Sequence, residues 1–323
     1  MDKIKIGLYG VNGHQIHHAL VDHSLGECVA VAAFPEELLP ESFKANAAIR
    51  RYATLDDLLA DDAVELVSLC SPRRADQAAD TLHSLAAGKH VYAEKPCALT
   101  EADLDAILAA AARAGKAFHE ITVSDTPFDQ PYLTMRELVQ SGLLGPIVQV
   151  FAQKSYPYHN RRPQDEAVDG GLLLQVGVHA LRFIEQVACV KVADIYALET
   201  QLGNPEPGDL RIAASMMMTL ENGGLANVIC NYLNPPAFGK WGNESLRIFG
   251  TQGFVEAVDG GAKTRLVLKE ADRGPLHIGE PGPLYLDRLL TSLRGEGEMP
   301  LSPEDEVHPT RMLIRAKQAL GNR

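Results

Sequence analysis

The sequence predicts an α/β protein of two domains, a doubly wound parallel sheet followed by an α+β domain with a large, mostly antiparallel open sheet. Apolar strands alternate with helices over roughly the first 120 residues, whereas strand-like patterns dominate from Ala193 onward. The chain has 323 residues, of which 46% are hydrophobic, enough to bury two cores. We expect domains over 1–122 and 123–308, and a helix over 309–323 that packs back on the first domain.

A glycine-rich turn follows the first predicted strand, Ile4 to Tyr9. The turn, Gly10-Val11-Asn12-Gly13, leads into a helix predicted from His14 to His23. This order is that of a Rossmann dinucleotide-binding unit, in which backbone N–H groups at the helix start hold a pyrophosphate. Asn12 and Gln15 stand where the G-x-G-x-x-G pattern has glycine. Asparagine tolerates a positive φ, but a side chain at Gln15 would crowd the helix against the strand or the cofactor.

The second predicted strand, Cys28 to Phe34, ends without the acid that usually holds the adenosine ribose. The nearest acids, Glu36 and Glu37, lie beyond Pro35. Since no arginine stands there to receive a 2′-phosphate, the sequence slightly favours NAD over NADP.

Two further strands end in residues that could line a binding crevice. The strand Val64 to Cys70 is followed by Ser71-Pro72, and the strand Lys89 to Ala93 by Glu94-Lys95-Pro96. Ligands of parallel α/β sheets bind beyond the carboxyl ends of the strands, so both segments are predicted at the crevice. The alternative for Glu94 and Lys95 is a surface ion pair of little energetic weight. The remaining elements predicted here are helices Leu55–Leu59, Asp76–Ala87 and Glu101–Ala114 and a strand Ala117–Val123.

The pattern changes beyond Ser124. A predicted helix, Pro131 to Ser141, precedes a strand, Ile147 to Lys154, and a polar aromatic loop. After Gly170-Gly171 a helix is predicted to run to about Ala188. The strands predicted after it are Ile195–Glu199, Arg211–Leu220, Gly224–Asn231, Ser245–Phe249, Gly253–Val258 and Thr264–Lys269.

His179 and Gln175 stand four residues apart in the helix predicted after Gly170-Gly171, so their side chains would share a face. A histidine there that faces Lys95 would form a general acid/base pair near neutral pH. A histidine satisfied within the core is the alternative.

The loop between Ser155 and Asp169 carries groups suited to a sugar. These groups are Tyr156, Tyr158, His159 and Asn160. Their side chains could hydrogen-bond sugar hydroxyls or stack on a sugar ring, although packing within the loop explains their presence nearly as well. The pairs Arg73-Arg74 and Arg161-Arg162 could receive an anionic group, but solvated loop charges are the simpler interpretation, above all for the first pair.

Composition narrows the function further. Lys and Arg number 30 against 42 Asp and Glu, and the net charge of −12 leaves no basic stripe for nucleic acid. The five cysteines are scattered without a CxxC pair, which indicates reduced thiols in the cytoplasm, and no leader or membrane span is predicted. His14, His18 and Asp22 have metal-ligand spacing but no fourth ligand nearby, so we predict no metal site.

The order of several segments resembles the glucose-fructose oxidoreductase / inositol dehydrogenase (Gfo/Idh/MocA) family along nearly the whole chain. The segments are the glycine turn, Ser-Pro after a buried strand, AGKHVYAEKP, DGGLLLQVGVHALR, ENGG and FGTQGFVE. The resemblance implies a first domain that binds NAD or NADP and a second that binds a sugar or cyclitol. It also implies a homodimer or homotetramer formed through the open sheet.

The resemblance also implies roles for single residues. Lys95 matches the lysine that contacts nicotinamide and substrate, and His179 matches the histidine that accepts the proton of the reacting hydroxyl. Glu94 matches the acid beside the cofactor. Gln175 stands where the family has Asp, so the carboxylate that would raise the basicity of the histidine is replaced by an uncharged amide.

The function implied is hydride transfer between a nicotinamide and a hydroxyl-bearing sugar, cyclitol or related small molecule. The departures at Asn12, Gln15, Ala33 and Gln175 leave alternatives open: a ligand-sensing or regulatory protein, or a lyase or hydrolase that uses transient oxidation. The expected cofactor-binding residues are Gly10, Asn12, Gly13, Ser71, Pro72, Glu94 and Lys95. The expected substrate-binding residues are Tyr156, His159, Asn160, Arg161 and His179.

Overall fold

A computed structural model describes residues 2–121 and 129–321, which fall into two compact units. The first holds the described residues up to Ile121 together with Ala167–Asp169 and Pro283–His308. The second holds the described residues up to Glu166 together with Gly170–Gly282 and those from Pro309 onward. The described part of the segment 309–323 groups with the second unit, and its packing on the first domain stays a prediction.

The first unit contains a six-stranded parallel sheet in the order β3-β2-β1-β4-β5-β6, so the predicted doubly wound fold is confirmed. The strand order reverses between β1 and β4, which is where ligands of such sheets bind. The strands are β1 (Ile4–Tyr9), β2 (Gly26–Ala32), β3 (Arg50–Tyr52), β4 (Leu66–Leu69), β5 (His90–Ala93) and β6 (Phe118–Glu120). The helices between them are α1 (Glu41–Lys44), α2 (Leu55–Leu59), α3 (Gln77–Ala86) and α4 (Glu101–Ala114).

Local signals fix the ends of α4. The side chain of Thr100 accepts a hydrogen bond from the N–H of Asp103 at 3.1 Å, and Gly115 ends the helix at φ +60°. Leu104 and Ile107 point into the core. Cap, apolar spacing and terminal glycine agree, so the sequence and the structure give the same bounds.

The helix predicted from His14 to His23 is wrong. This segment forms consecutive turns, with bonds such as Leu20 N–H to Ile16 carbonyl oxygen at 3.2 Å. Asp22, near its end, has a left-handed φ of +53°. Histidine is a weak helix former, and this short segment contains four of them.

The second unit contains an eight-stranded sheet in the order β14-β13-β12-β11-β7-β10-β9-β8. Its pairs are antiparallel except β7 with β10, so the predicted mostly antiparallel sheet is confirmed. The strands are β7 (Ile147–Ser155), β8 (Val192–Thr200), β9 (Ala213–Leu220), β10 (Leu225–Asn231), β11 (Ser245–Gly250), β12 (Gly253–Val258), β13 (Lys263–Leu268) and β14 (Ala271–Gly274). The helices of this half of the chain are α5 (Tyr132–Gln140), α6 (Glu166–Asp169), α7 (Gly171–Arg182), α8 (Tyr285–Leu293) and α9 (Pro303–Gly321).

Helix α7 lies against β7, β9 and β10 on one face of this sheet. It continues as a π-helical turn over Phe183–Val187, close to the predicted helix end. Among the described residues, the helical stretch Glu166–Val187 is apolar and long enough to cross a bilayer, but most of it is buried inside the protein. It is therefore a core helix, and it carries the candidate residues of the second unit.

Candidate functional site

The loops after β1, β4 and β5 lie side by side at the carboxyl edge of the first sheet. Gly10 adopts φ +66°, and its N–H donates to the carbonyl of Ala32 at 3.0 Å. A Cβ at this position would lie 2.0 Å from the carbonyl oxygen of Cys70. Only glycine therefore fits, and the turn approaches the end of β4 through bare backbone.

Asn12 ties this turn to its neighbours. Its side-chain Nδ2 donates to the carbonyls of Pro72 at 3.1 Å and Val168 at 2.6 Å. The residue does not adopt the positive φ that the sequence allowed for it. Asn12 thus replaces a glycine by bonding adjacent loops, a role that its spacing in the sequence does not reveal.

Gln15 is turned inward beneath the same loop. Its Nε2 donates to the carbonyls of Tyr9, Gly10 and Ser68 at 3.0–3.2 Å. The sequence predicted that a side chain here would crowd the helix. Because the segment forms turns and not a helix, the Gln15 amide has room to donate hydrogen bonds to backbone oxygens at the ends of the strands.

Glu94 is fully buried and bonds the other end of the turn. Its Oε2 accepts from the His14 N–H at 3.1 Å, and its Oε1 lies 2.8 Å from His14 Nδ1. Gly13, at φ +119°, leaves room for this carboxylate, because a Cβ there would lie 2.6 Å from Glu94 Cδ. Burial opposes ionisation, but the imidazole of His14 with its hydrogen bond, and then Lys95 and Arg74, hold the pKa of Glu94 at about 2.

Lys95 is buried directly beyond β5, and its Nζ lies 3.9 Å from Glu94 Oε1. A surface ion pair, the alternative considered for these residues, is excluded because neither side chain is exposed. Burying an ammonium next to a carboxylate costs desolvation energy, and such pairs are found more often at functional sites than elsewhere. The predicted placement of both residues at the strand end is therefore what the structure has.

Ser71 and Pro72 follow β4 as expected. The Ser71 hydroxyl donates to Asp80 Oδ2 at 2.6 Å, and its N–H donates to Gln77 Oε1 at 3.0 Å. Since the hydroxyl is bonded inside the unit, Ser71 and the exposed Pro72 would contact a ligand mainly through main-chain and ring atoms.

Arg74 is a residue that the sequence interpretation missed. The sequence predicts a solvated charge at this position, but Arg74 is only 1% exposed, whereas Arg73 is exposed. Its Nη2 donates to the carbonyl of Asn12 at 2.6 Å, and its Nη1 donates to Gln77 Oε1 at 2.9 Å. The buried guanidinium of Arg74 therefore holds the glycine turn through the Asn12 carbonyl. No sequence feature distinguishes Arg74 from Arg73.

The end of β2 lacks an acid in the structure as in the sequence. Ala33 takes a left-handed φ of +48°, and the exposed carboxylate of Glu36 accepts from Arg51 Nε and Nη2 at 3.2 Å each. Arg51 comes from the neighbouring strand β3, so sequence order did not place an arginine here. Hydrogen bonding to Arg51 lowers the pKa of Glu36.

In the second unit, His179 is 5% exposed on α7 and meets the ring of Tyr156 edge-on, with centroids 6.4 Å apart. Gln175 lies one helical turn earlier and is partly exposed, so both side chains follow one line of the helix as predicted. Burial raises the pKa of Tyr156.

An aromatic group surrounds Tyr156. Trp241 stacks on Tyr156 with centroids 6.1 Å apart and lies 5.8 Å from the ring of His159. Asn160 and Arg161 are exposed on the same loop. The structure thus brings Tyr156, His159 and His179 together, and adds Trp241, which the sequence interpretation missed because it follows a separate strand.

Lys154 is a second buried lysine that the sequence did not single out. Its Nζ lies 3.5 Å from Glu244 Oε1 and 4.2 Å from the centroid of the Phe183 ring. Burial lowers its pKa, although Glu244 opposes the shift. Lys154, near the end of β7, contacts Phe183, and Tyr156, just beyond β7, contacts His179, so both lie against the helical segment that carries His179.

No group of three metal-ligating side chains is placed to hold an ion within residues 2–121 and 129–321. Of the spaced trio considered from the sequence, His14 bonds Glu94, and the ring of His18 lies 4.2 Å from that of His17.

Comparison with known proteins gives consistent matches. Residues 4–122 match the oxidoreductase family model with an NAD-binding Rossmann fold, and residues 132–256 match the GFO/IDH/MocA C-terminal domain. Myo-inositol 2-dehydrogenase of Thermotoga maritima is 24% identical, over 98% of this chain and 96% of that protein. D-glucoside 3-dehydrogenase of Escherichia coli is 29% identical, over 50% of each chain.

Solved structures agree with this. One of a Thermotoga maritima oxidoreductase superposes with a TM-score of 0.86 and 26% identity, over 98% of this chain and 97% of that one. An aldose-aldose oxidoreductase of Caulobacter crescentus superposes with a TM-score of 0.78 and 22% identity, over 100% and 98% of the chains, which is a similarity of fold.

The crevice fits a dinucleotide, with one condition. Gly10 and Gly13 have the left-handed backbone of a Rossmann glycine turn, but the Cys70 carbonyl oxygen and the Glu94 carboxylate occupy the space where a side chain at either position would lie. The N–H of His14 stands where such turns donate a hydrogen bond to a phosphate oxygen, but it already donates to Glu94. A bound pyrophosphate that uses this N–H therefore requires the Glu94 carboxylate to leave it.

Proposed function

Since the chain belongs to the Gfo/Idh/MocA family of oxidoreductases, we propose that it is an NAD(P)-dependent dehydrogenase of a sugar, cyclitol or related hydroxyl-bearing small molecule. The observation that carries the proposal is Lys95, a buried ammonium at the carboxyl end of β5. Its neighbour Glu94 bonds the glycine turn of an NAD-binding fold. The sequence favoured NAD slightly because no arginine follows β2, but Arg51 of β3 bonds Glu36 at the end of β2, so the proposal covers NAD and NADP alike.

The bound nicotinamide would supply the hydride acceptor or donor. In this proposal Lys95 donates a hydrogen bond to the reacting oxygen and orients the substrate, and the imidazole of His179 takes the hydroxyl proton. The neutral amide of Gln175 can hydrogen-bond but adds no negative charge that would make the histidine more basic. We therefore expect slower turnover than with an acid there, or an altered substrate.

Titration with NADH and NADPH, followed by nicotinamide fluorescence, tests the cofactor step. Lys95→Met should abolish turnover. Lys89→Met is the matched control, because Lys89 is also buried, lies just before β5, and donates to the carbonyl of Asp61 at 2.9 Å. His179→Asn should lower the rate without weakening NADH binding. Failure of both cofactors to bind at millimolar concentration would remove the proposal.

A second candidate is a family member without net redox turnover, either a ligand sensor or regulator, or a lyase or hydrolase that uses transient oxidation. The observation that favours it is the carboxylate of Glu94 on the His14 N–H, together with Gln175. Thermal stabilisation by sugars without any cofactor effect would indicate the sensor. Substrate consumption without net NADH formation would indicate the lyase or hydrolase.

We also propose a homodimer or homotetramer formed through the open face of the second sheet. Strand pairing sets Tyr196 beside Met217, and Asn227 between Met217 and Phe151, in one row whose three large apolar side chains are exposed. Met217 is 64% exposed in the middle of this row, and a contiguous exposed apolar patch is typical of a protein–protein interface. Met217→Asp should lower the sedimenting mass, whereas Leu202→Asp, at an exposed apolar residue outside the strands, should not.

Placement in the cytoplasm belongs to the same proposal. All five cysteines are free thiols, and four of them are buried. Reduced thiols are the rule in the cytosol and the exception in oxidising compartments.

A further inference from the structure

We propose that Arg51 and Lys44 form a binding site for the 2′-phosphate of NADP at the end of β2, and that the carboxylate of Glu36 occupies this site until the cofactor binds. The inference rests on the proposed function and deepens it, because it chooses between the two nicotinamide cofactors. It departs from the slight preference for NAD, because that preference took account only of the residues that follow β2 in sequence.

The end of β2 is where dinucleotide-binding folds hold the adenosine ribose, beside the glycine turn. In this chain the N–H of Gly10 donates to the carbonyl of Ala32 at 3.0 Å, so the turn and this strand end are in contact. The three residues that follow, Ala33-Phe34-Pro35, carry no hydrogen-bonding side chain. An acid that would bond the 2′-hydroxyl of NAD is therefore missing directly after the strand.

Arg51 brings a guanidinium to this strand end from the neighbouring strand. It pairs with Val31 in the ladder between β2 and β3, one residue before β2 ends. Its Nη1 donates to the carbonyl of Ile49 at 2.7 Å, and its Nη2 donates to that of Phe43 at 3.1 Å. Because these partners are main-chain atoms, they hold the guanidinium in place before any ligand arrives, and less entropy is lost on binding.

Glu36 is the group at this site that an incoming anion can replace. Its two carboxylate oxygens accept hydrogen bonds from Nε and Nη2 of Arg51 at 3.2 Å each, and its side chain is 55% exposed. An exposed ion pair contributes little to stability, so it is easily broken. A phosphate monoester carries a charge of about −1.5 to −2 at neutral pH and accepts parallel N–H bonds from one guanidinium. It would therefore displace the carboxylate from Arg51.

Lys44 adds a second positive charge to the site. The hydrogen bond from Arg51, and then the charges of Arg51 and Lys44, lower the pKa of Glu36. Lys44 itself pairs with Glu41, with 2.7 Å between Nζ and Oε1, and the carboxylate of Glu41 is exposed to solvent. Two cations therefore already favour an anion at the position that Glu36 occupies.

The alternative is that Glu36 holds the two ribose hydroxyls of NAD. Both oxygens of this carboxylate are already engaged by Arg51, so the hydroxyls would have to share them with the guanidinium. A neutral diol also gains less from a nearby guanidinium than a phosphate does, because charge-assisted hydrogen bonds are the stronger ones. The cofactor that carries the 2′-phosphate is therefore expected to bind more tightly.

Cofactor fragments test the site without any reaction. We would titrate the intact protein with adenosine 2′,5′-bisphosphate and with AMP by calorimetry, and with NADPH and NADH by nicotinamide fluorescence. The members of each pair differ only in the 2′-phosphate. The form that carries it should bind about tenfold more tightly or better, and added salt should reduce this difference.

Variants of the two arginines on β3 test the residue. Arg51→Met should weaken binding of both 2′-phosphate compounds by about tenfold or more and leave NADH binding within about twofold. Arg50→Met is the matched control. Arg50 also loses an ion pair, with 2.7 Å between its Nη2 and Oδ2 of Asp61, but its side chain points to the other face of the sheet. Arg51→Lys, which keeps the charge and loses the planar fork, should give an intermediate affinity.

Glu36→Gln tests the exchange and leaves the bonds from Arg51 to the main chain in place. Because the competing charge is removed, this variant should bind NADPH more tightly than the parent protein. Weaker NADH binding in Glu36→Gln, with NADPH binding unchanged, would mean that the carboxylate holds the ribose of NAD, which overturns the inference. The thermal midpoint of each variant checks that the fold is intact.

The outcomes separate this inference from the proposed function. Equal binding of NADPH and NADH, or equal effects of Arg51→Met and Arg50→Met, would overturn the inference and leave the dehydrogenase standing. Fragment binding that needs both the 2′-phosphate and Arg51, without binding of either dinucleotide, would support the inference and remove the dehydrogenase. Binding of neither fragment and neither dinucleotide would overturn both.

Discussion

The carboxylate of Glu94 contacts His14 twice: Oε2 accepts a hydrogen bond from the backbone N–H of His14 at 3.1 Å, and Oε1 lies 2.8 Å from the Nδ1 of His14. In dinucleotide-binding folds, N–H groups at this turn hold phosphate oxygens. This chain therefore places its own anion where the cofactor's anion would bind.

Replacing Glu94 should change how stability depends on acid. The folded pKa of about 2 lies below the ordinary value of 4.5, so the unfolded chain binds the proton first as the pH falls. The carboxylate stabilises the protein above pH 4.5, and this contribution is lost between pH 4.5 and about 2. Glu94→Gln should flatten this limb of the free energy of unfolding, measured by urea denaturation, whereas Glu298→Gln, at an exposed site, should retain it. An unchanged limb in Glu94→Gln would contradict the structure.

Two left-handed glycines differ in what surrounds them. A Cβ on Gly10 would lie 2.0 Å from a backbone carbonyl oxygen, whereas one on Gly88, at φ +75°, would meet no atom within 4 Å. Gly88→Ala should cost about 1–2 kcal/mol from backbone strain alone. Gly10→Ala should cost about 3 kcal/mol or more, because the loop must also move. Similar costs in urea denaturation would show that the turn does not approach β4 as described.

Adjacent arginines should behave differently. Arg74 is buried and donates to the carbonyl of Asn12 and to Gln77, whereas Arg73 is exposed. Arg74→Met should cost about 2–3 kcal/mol of unfolding free energy and weaken NADH binding, because the glycine turn loses its support. Arg73→Met should stay within about 0.5 kcal/mol. Equal effects on both quantities would refute the distinction.

Lys154 should make stability rise with pH. Its folded pKa lies below the ordinary 10.5, so the unfolded chain holds a proton that the folded chain has lost in that window. Stability then increases as the pH approaches 10.5, and Lys154→Met should remove this slope from urea titrations in alkaline buffer. Lys263→Met, which loses only the exposed ion pair with Asp259, should keep it. A slope that survives in Lys154→Met would assign it to another group.

The elements that the sequence predicted well carry several agreeing signals. β1 and α4 have the predicted bounds, because apolar run, cap and terminal glycine coincide. The helix predicted after the glycine turn rested on one signal alone, its place after a strand and a turn, and the segment is rich in histidine, a weak helix former. In the structure the side chain of Gln15 bonds carbonyls at the strand ends. Local pattern does not report where a long polar side chain finds its partners.

The site shows the same division. Glu94 and Lys95 were placed correctly because a strand end followed by proline is a local signal. Arg74 and Trp241 were missed because their importance comes from contacts with segments distant in sequence, Asn12 in one case and Tyr156 in the other. The three-dimensional neighbourhood, rather than the residue type, distinguishes them from their neighbours.

The hydrogen bonds of Gln15 determine what a substitution toward the glycine motif would do to this turn. Its amide serves three backbone oxygens, and its own Oε1 accepts from the Ser68 hydroxyl and the N–H of Ile16. A glycine at position 15 would remove these side-chain bonds while the following residues still form turns, although the Tyr9 carbonyl would keep its bond from the Cys70 N–H at 2.8 Å. Gln15→Gly alone would therefore bring the sequence closer to the G-x-G-x-x-G motif and at the same time remove the bonds that join this segment to the ends of β1 and β4.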